Sequence, residues 1–175
     1  TELTGVSSTV DATNNPNNGF YVRSLAFSWG PYQPSHVMYI GTTDGKILRL
    51  DDPRNALAAQ TPANISIPGL PLGANIQDIA VNPNNDNEIM AVVSNYEISN
   101  ANVTSVWWTN NAKSATPTWV NAEGNMITAA SVRSCAIVVK KDAGNNPVTE
   151  YYIGTSVGLF SVVDNTPATP PVFTN

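Results

Sequence analysis

The chain has 175 residues, of which 42% are hydrophobic, enough for one domain with a sizeable core. Only 12% are charged, the net charge is −5, and Lys140-Lys141 is the only adjacent pair among the eight Lys and Arg. That spread excludes the clustered basic surface that nucleic acid requires, and no run approaches the roughly 18 apolar residues of a membrane helix.

Cys135 is the one cysteine and His36 the one histidine. A disulfide framework, a thiolate metal site and a multi-histidine site are therefore absent, and a Ser-His-Asp triad is improbable. No metal or cofactor is expected. Cys135 lies in a hydrophobic strand pattern and reads as an inert thiol, and His36 as an exposed turn residue. With thirteen Pro and eleven Gly beside abundant Asn, Thr and Ser, the chain has the turn-rich make-up of an extracellular β-protein. Polar sequence from Thr1, without a signal-peptide pattern, is what a mature or excised product would show.

In chain order, Leu3, Val6 and Val10 alternate with polar residues and predict a strand. Residues 1–19 are then the outer strand of a preceding unit, closed by the turn Asn14-Asn15-Pro16-Asn17-Asn18-Gly19. Val22-Arg23-Ser24-Leu25-Ala26-Phe27 predicts the next strand. Tyr39-Ile40-Gly41-Thr42-Thr43-Asp44-Gly45-Lys46-Ile47-Leu48-Arg49-Leu50 reads as a hairpin, its Asp-Gly turn supplying the positive φ that tight hairpins need. Residues Arg54 to Gln60 have the composition of one helical turn, and Ile65-Ser66-Ile67 that of a fourth strand.

The same order then recurs. Ile76-Gln77-Asp78-Ile79-Ala80-Val81 and Val132-Arg133-Ser134-Cys135-Ala136-Ile137 match the first strand, with starts roughly 55 residues apart. A second Gly-Thr hairpin, Tyr152-Ile153-Gly154-Thr155-Ser156-Val157-Gly158-Leu159-Phe160, follows about 113 residues after the first. In the middle unit Ile89 to Asn95 supplies the second strand, Tyr96 to Thr104 a longer hairpin tip, Ser105-Val106-Trp107-Trp108-Thr109 the third strand and Thr118-Trp119-Val120 the start of the fourth. Val172-Phe173-Thr174 reads as the last strand.

Repeats of this length built from four short strands are the signature of propeller blades. The predicted fold is all-β: a β-propeller segment of about three four-stranded antiparallel blades, over 20–75, 76–126 and 127–175, in one partial domain. Closed rings take about 4–8 blades. Three would leave apolar faces open to water, so further blades on the same or another chain are expected as partners.

Thr109, Asn111 and Thr118-Trp119, following Ile79-Ala80-Val81-Asn82-Pro83-Asn84-Asn85, resemble the BNR or Asp-box propellers, which include sialidases, sortilin-type receptor domains and xyloglucan-hydrolysing glycosidases. Their box reads Ser/Thr-x-Asp-x-Gly-x-Thr-Trp. Here Asn111 replaces the Asp, the Gly is missing and the turn is longer. The first and third units carry only Asp51 and Asp164 at comparable places. The resemblance implies a secreted bacterial protein, a structural box that ties a turn, Trp119 packed beneath it, and function at loops and at the channel mouth.

If the first strand of each blade lines the channel, Arg23, Gln77 and Arg133 occupy matching places, followed by Ser24, Asp78 and Ser134. Arginines from several blades bind a substrate carboxylate in sialidases, which makes Arg23 and Arg133 candidates for an anionic ligand. Asp78 is the acidic residue best placed for catalysis, though glycoside hydrolysis needs a second carboxyl group. Trp29, Tyr32, Tyr96 and Trp107 or Trp108 are candidate platforms for sugar rings. Trp107 and Trp108 must face opposite sides of their strand. Asp51-Asp52 and Asn84-Asn85-Asp86 read as turns rather than cation sites. Asn64-Ile65-Ser66 and Asn102-Val103-Thr104 match the glycan-acceptor pattern.

These features predict a binding or scaffold module, secreted or on the cell surface, that recognises protein or glycan through its loops. The alternative is part of a glycoside hydrolase completed by other blades.

Overall fold

The computed structural model describes residues 2–13, 19–71, 73–94, 104–124 and 131–164. The chain is almost entirely β, in three antiparallel sheets. Strands β1 (Val22–Phe27), β2 (Val37–Thr42), β3 (Ile47–Asp51) and β4 (Ala63–Asn64) follow one another across the first sheet. The second takes β5 (Asn75–Asn82), β6 (Asn85–Ser94), β7 (Val106–Thr109) and β8 (Val120–Asn121) in the same order. The third holds β9 (Val132–Lys141), β10 (Pro147–Thr155) and β11 (Gly158–Asp164). Val172 to Thr174, expected as its outer strand, lie outside the described residues.

Each sheet packs its apolar face on the next, with the second in the middle. Tyr39, Ile47 and Ala26 meet Ile76, Ile79, Ile89 and Ala91 between the first two. Met90, Val92, Val106 and Trp108 meet Ile137, Tyr151, Ile153 and Phe160 between the second and third. The middle strand β6 alternates its side chains between both cores, so a nearly continuous apolar run is what its position requires. Full burial of aliphatic side chains of this size contributes about 1.5–3 kcal/mol each.

Three polar ties fix the stack. Tyr39 donates its hydroxyl to the Asp86 carbonyl at 2.6 Å. Lys113 Nζ, paired with Asp86 Oδ1 of its own unit, donates across to the Ser35 carbonyl at 2.9 Å. Glu88, 2% exposed, accepts hydrogen bonds from Asn82 Nδ2, Trp108 Nε1 and the Tyr151 hydroxyl.

Both Gly-Thr hairpins form, and the threonine closes each. Lys46 N donates to Thr42 Oγ1 and Thr42 Oγ1 to Asp44 Oδ1, while Val157 N donates to Thr155 Oγ1. Gly45 takes φ +82° as the Asp-Gly turn demands. The glycine before each threonine has another reason. Gly41 pairs with Ser24 and Gly154 with Ser134, and a Cβ added there would lie 2.4 Å and 2.5 Å from the serine Oγ.

The amino-terminal segment differs from expectation. Instead of a strand it forms a short helix, α1 (Thr4–Val10). Leu3, Val6 and Val10 are spaced by three and four residues, one helical face. That face lies on Met38, Ile40, Leu48 and Leu50, the outer side of the first sheet. Lys46 Nζ donates to the Thr9 and Val10 carbonyls at the helix end, where a cation is favoured. Two smaller expectations are also corrected. Residues 54–60 make turns and no helix. The fourth strand of the first sheet is Ala63–Asn64, while Ile65 and Ile67 plug the core between sheets.

Candidate binding site on the inner strands

The first strand of each unit, β1, β5 and β9, is the terminal strand of its sheet, and the three lie side by side along one wall. Each carries an irregularity at the same repeat position. The register steps from Val22 to Ser24, from Ile76 to Asp78 and from Val132 to Ser134. The residues passed over are Arg23, Gln77 and Arg133. A bulge leaves one residue outside the ladder and re-aims its side chain.

All three bulge residues line one polar recess of about 370 Å³, beside Tyr21, Asn75 and Ser94. Two guanidinium groups and a carboxamide converge there, and no described acidic residue lines it. Guanidinium presents paired donors that match carboxylate or sulfate oxygens. With a net charge of −5, this is a local reversal of the protein's overall sign.

Asp78 occupies the wall as expected but does different work. Its Oδ1 accepts the Ile79 N–H at 2.9 Å and its Oδ2 the Cys135 N–H at 3.0 Å. The carboxylate thus staples β5 to β9, and neither it nor any other described carboxyl group lines the recess. Cys135 Sγ–H points to the Met90 carbonyl at 3.6 Å. Burial first, and the Asp78 charge second, push its thiol well above the usual range, which keeps it protonated and unreactive.

Beyond the bulges the same strands line an apolar groove of about 510 Å³. Ala26, Ala80 and Ala136, at one repeat position, sit along it with Leu25, Phe27 and Trp29 at its border. Trp29 is 64% exposed, as a ligand platform requires. Next to it, Tyr32 donates to Asp52 Oδ1 at 2.7 Å and carries the Arg54 guanidinium 4.8 Å above its ring. His36 meets the edge of that ring.

Trp107, expected as a sugar platform, is instead a packing residue. Its indole N–H donates to the Thr104 carbonyl at 2.9 Å and its ring lies against the core between the first two sheets. Trp108 faces the opposite core, as alternation along a strand requires. Tyr96 lies outside the described residues. Asn111 ties its turn: Oδ1 accepts from Thr109 Oγ1 at 2.7 Å and from Thr118 N at 2.8 Å. Trp119 reaches past its own turn, donating to the Ile65 carbonyl of the first unit at 2.9 Å.

The fold defines a nearly all-β chain of stacked antiparallel sheets with a polar recess, lined by two arginines, on its inner strands. No family model matches the chain, and no curated protein matches it in sequence. In structure it is similar to Sqt1 of Saccharomyces cerevisiae, at 16% identity and a TM-score of 0.50 over 89% of this chain and 33% of Sqt1. The chain spans about a third of that protein's length, and the likeness concerns the arrangement of strands alone.

Proposed function

We propose that the chain is a three-bladed arc of an Asp-box-type β-propeller, serving a secreted or cell-surface protein as a binding module for an anionic glycan or protein group. The observation that carries this reading is the convergence of Arg23, Gln77 and Arg133, from three separate bulges, on one recess.

The arc is supported by the repeat itself. Ile47 of the first sheet is fully buried against the second, whereas Leu159, its counterpart in the third, is 71% exposed. Gly41 receives Ile76 of the next sheet, whose Cγ2 lies 2.6 Å from an added Cβ. Gly154 has the same build with no neighbouring sheet among the described residues. The outer face of the third sheet therefore calls for a further sheet of the same kind, as partner or as continuation. The engaged carboxylate of Asp78 favours binding over glycoside hydrolysis.

Calorimetric titration with sulfate, glucuronate and glucose tests the anionic ligand. The charged probes are expected to bind, and Arg23→Gln with Arg133→Gln to weaken them at least tenfold. Equal affinity for glucuronate and glucose would overturn the reading.

A further inference from the structure

The two junctions between sheets are built alike. In each, the first strand of the later sheet packs on the first two strands of the earlier one: β5 on β1 and β2, and β9 on β5 and β6. The later sheet offers the same repeat positions both times. Ile76, Ile79 and Val81 meet the first sheet, and Val132, Cys135 and Ile137 meet the second. These positions mark the rear of a sheet, and the side it turns to the next sheet is its front.

One rear and one front are left over. At the rear positions β1 carries Val22, Leu25 and Phe27, all about half exposed, while Met38 and Ile40 beside them are covered by α1. The front of the third sheet repeats that of the first. Ser134, Ala136, Tyr152, Gly154 and Leu159 stand where the first sheet has Ser24, Ala26, Tyr39, Gly41 and Ile47. The second sheet has Asp78, Ala80, Met90, Val92 and Val106 there. The first front is the one whose glycine receives Ile76 and whose Tyr39 and Ile47 share a core with Ile79 and Ile89. The third sheet thus offers a front of the same build, and Val22 is the β-branched residue at the Ile76 position of the first sheet.

We propose that these two surfaces are partners between copies of this chain. The first sheet of a second copy packs its rear on the third sheet's front, with Val22 of one copy over Gly154 of the other. Both halves of the contact are present in one chain, which points to a second copy rather than a different protein. Two copies joined twice in this way form a closed ring of six sheets, whereas three copies would need nine; closed rings take about 4–8. α1 is then a latch: it lies on Met38 and Ile40, where the partner's sheet would rest, and must swing away for the ring to close. This inference rests on the arc proposed above and names its partner.

Sedimentation velocity over a dilution series tests the contact. The wild-type chain is expected to show a concentration-dependent dimer. Val6→Ser combined with Val10→Ser loosens α1 and should tighten the dimer at least tenfold, because more chains have the rear free. Leu159→Arg and Leu25→Glu change exposed residues on the front and the rear respectively. Each alone should be monomeric, and an equimolar mixture should recover a dimer, since one of its two contacts joins an intact front to an intact rear. Leu25→Glu dimerising like wild type would show fronts pairing with fronts and overturn the inference, leaving the third sheet's need of cover standing. Monomers throughout, or assemblies that keep growing with concentration, would also overturn it; sulfate binding by the same chain would leave the anionic site standing. Leu159→Arg dimerising like wild type would overturn both this contact and the reading that the third sheet calls for another sheet.

Discussion

The Tyr151 hydroxyl donates to Glu88 Oε1 at 2.6 Å across the junction of the second and third sheets. Two further donors, Trp108 Nε1 and Asn82 Nδ2, share that carboxylate. A buried acid held by three donors joins two sheets whose shared core is largely hydrocarbon, and it fixes their relative position as dispersion contacts cannot.

Removing either side of that contact has unequal costs. Tyr151→Phe is expected to lower stability by about 1–3 kcal/mol, the cost of leaving a buried hydrogen-bonding atom without one of its partners. Glu88→Ala strands three buried donors, each at a cost of about 1–3 kcal/mol, and should lower stability more than Tyr151→Phe does. Urea unfolding of both variants measures the difference, and equal losses would refute the shared role of Glu88.

Asp78→Ala frees two backbone N–H groups on adjacent strands and is expected to cost about 1–3 kcal/mol. The same change removes the charge that, after burial, holds the Cys135 thiol high. Iodoacetamide should label Cys135 slowly at pH 8 in the folded wild-type chain and faster in Asp78→Asn. Unchanged labelling would show that Asp78 does not act on the thiol.

Asp52 yields a prediction in pH. The Tyr32 hydroxyl, and then the Asn55 amide, hold the Asp52 carboxyl below its usual range. A carboxylate depressed by folding stabilises the fold above its unfolded value, about 3.9. That contribution is lost as pH falls through the lower folded value. Asp142 and Glu150 are shifted in the same direction, by Asn146 and Lys140 respectively. Stability should therefore hold down to about pH 4 with respect to these groups and fall below it. In Tyr32→Phe, a carbon-detected NMR titration should find the Asp52 value moved up toward the ordinary one.

Gly41 and Gly154 look interchangeable in sequence and should not behave alike. A Cβ at Gly41 meets both Ser24 Oγ and Ile76 of the neighbouring sheet; at Gly154 it meets only Ser134, whose side chain can turn away. Thermal unfolding should show Gly41→Ala about 1–3 kcal/mol less stable than wild type and Gly154→Ala distinctly milder.

The sequence disclosed the wall because its evidence was local. Three six-residue strands repeat Arg, Gln and Arg at one position, and repeats keep their positions in space. The bulges that turn those side chains into the recess were not legible, since a bulge is decided by the partner strand rather than by the residues it displaces. Asp78 shows the same limit: its place was readable, but its work depends on Cys135, 57 residues away. Leu3, Val6 and Val10 held a helical spacing that short polar alternation resembles, and the exposed apolar face of the first sheet decided between them. Trp107 and Trp108 were readable as facing opposite sides, though not that Trp107 would satisfy its own indole against Thr104.

The helix that lies over Met38, Ile40, Leu48 and Leu50 gives the stack a direction. One end is roofed, and the other presents Leu159 and Val163 to solvent. A further sheet can pack on the third as the structure stands, and on the first only where α1 gives up its place on Met38, Ile40, Leu48 and Leu50.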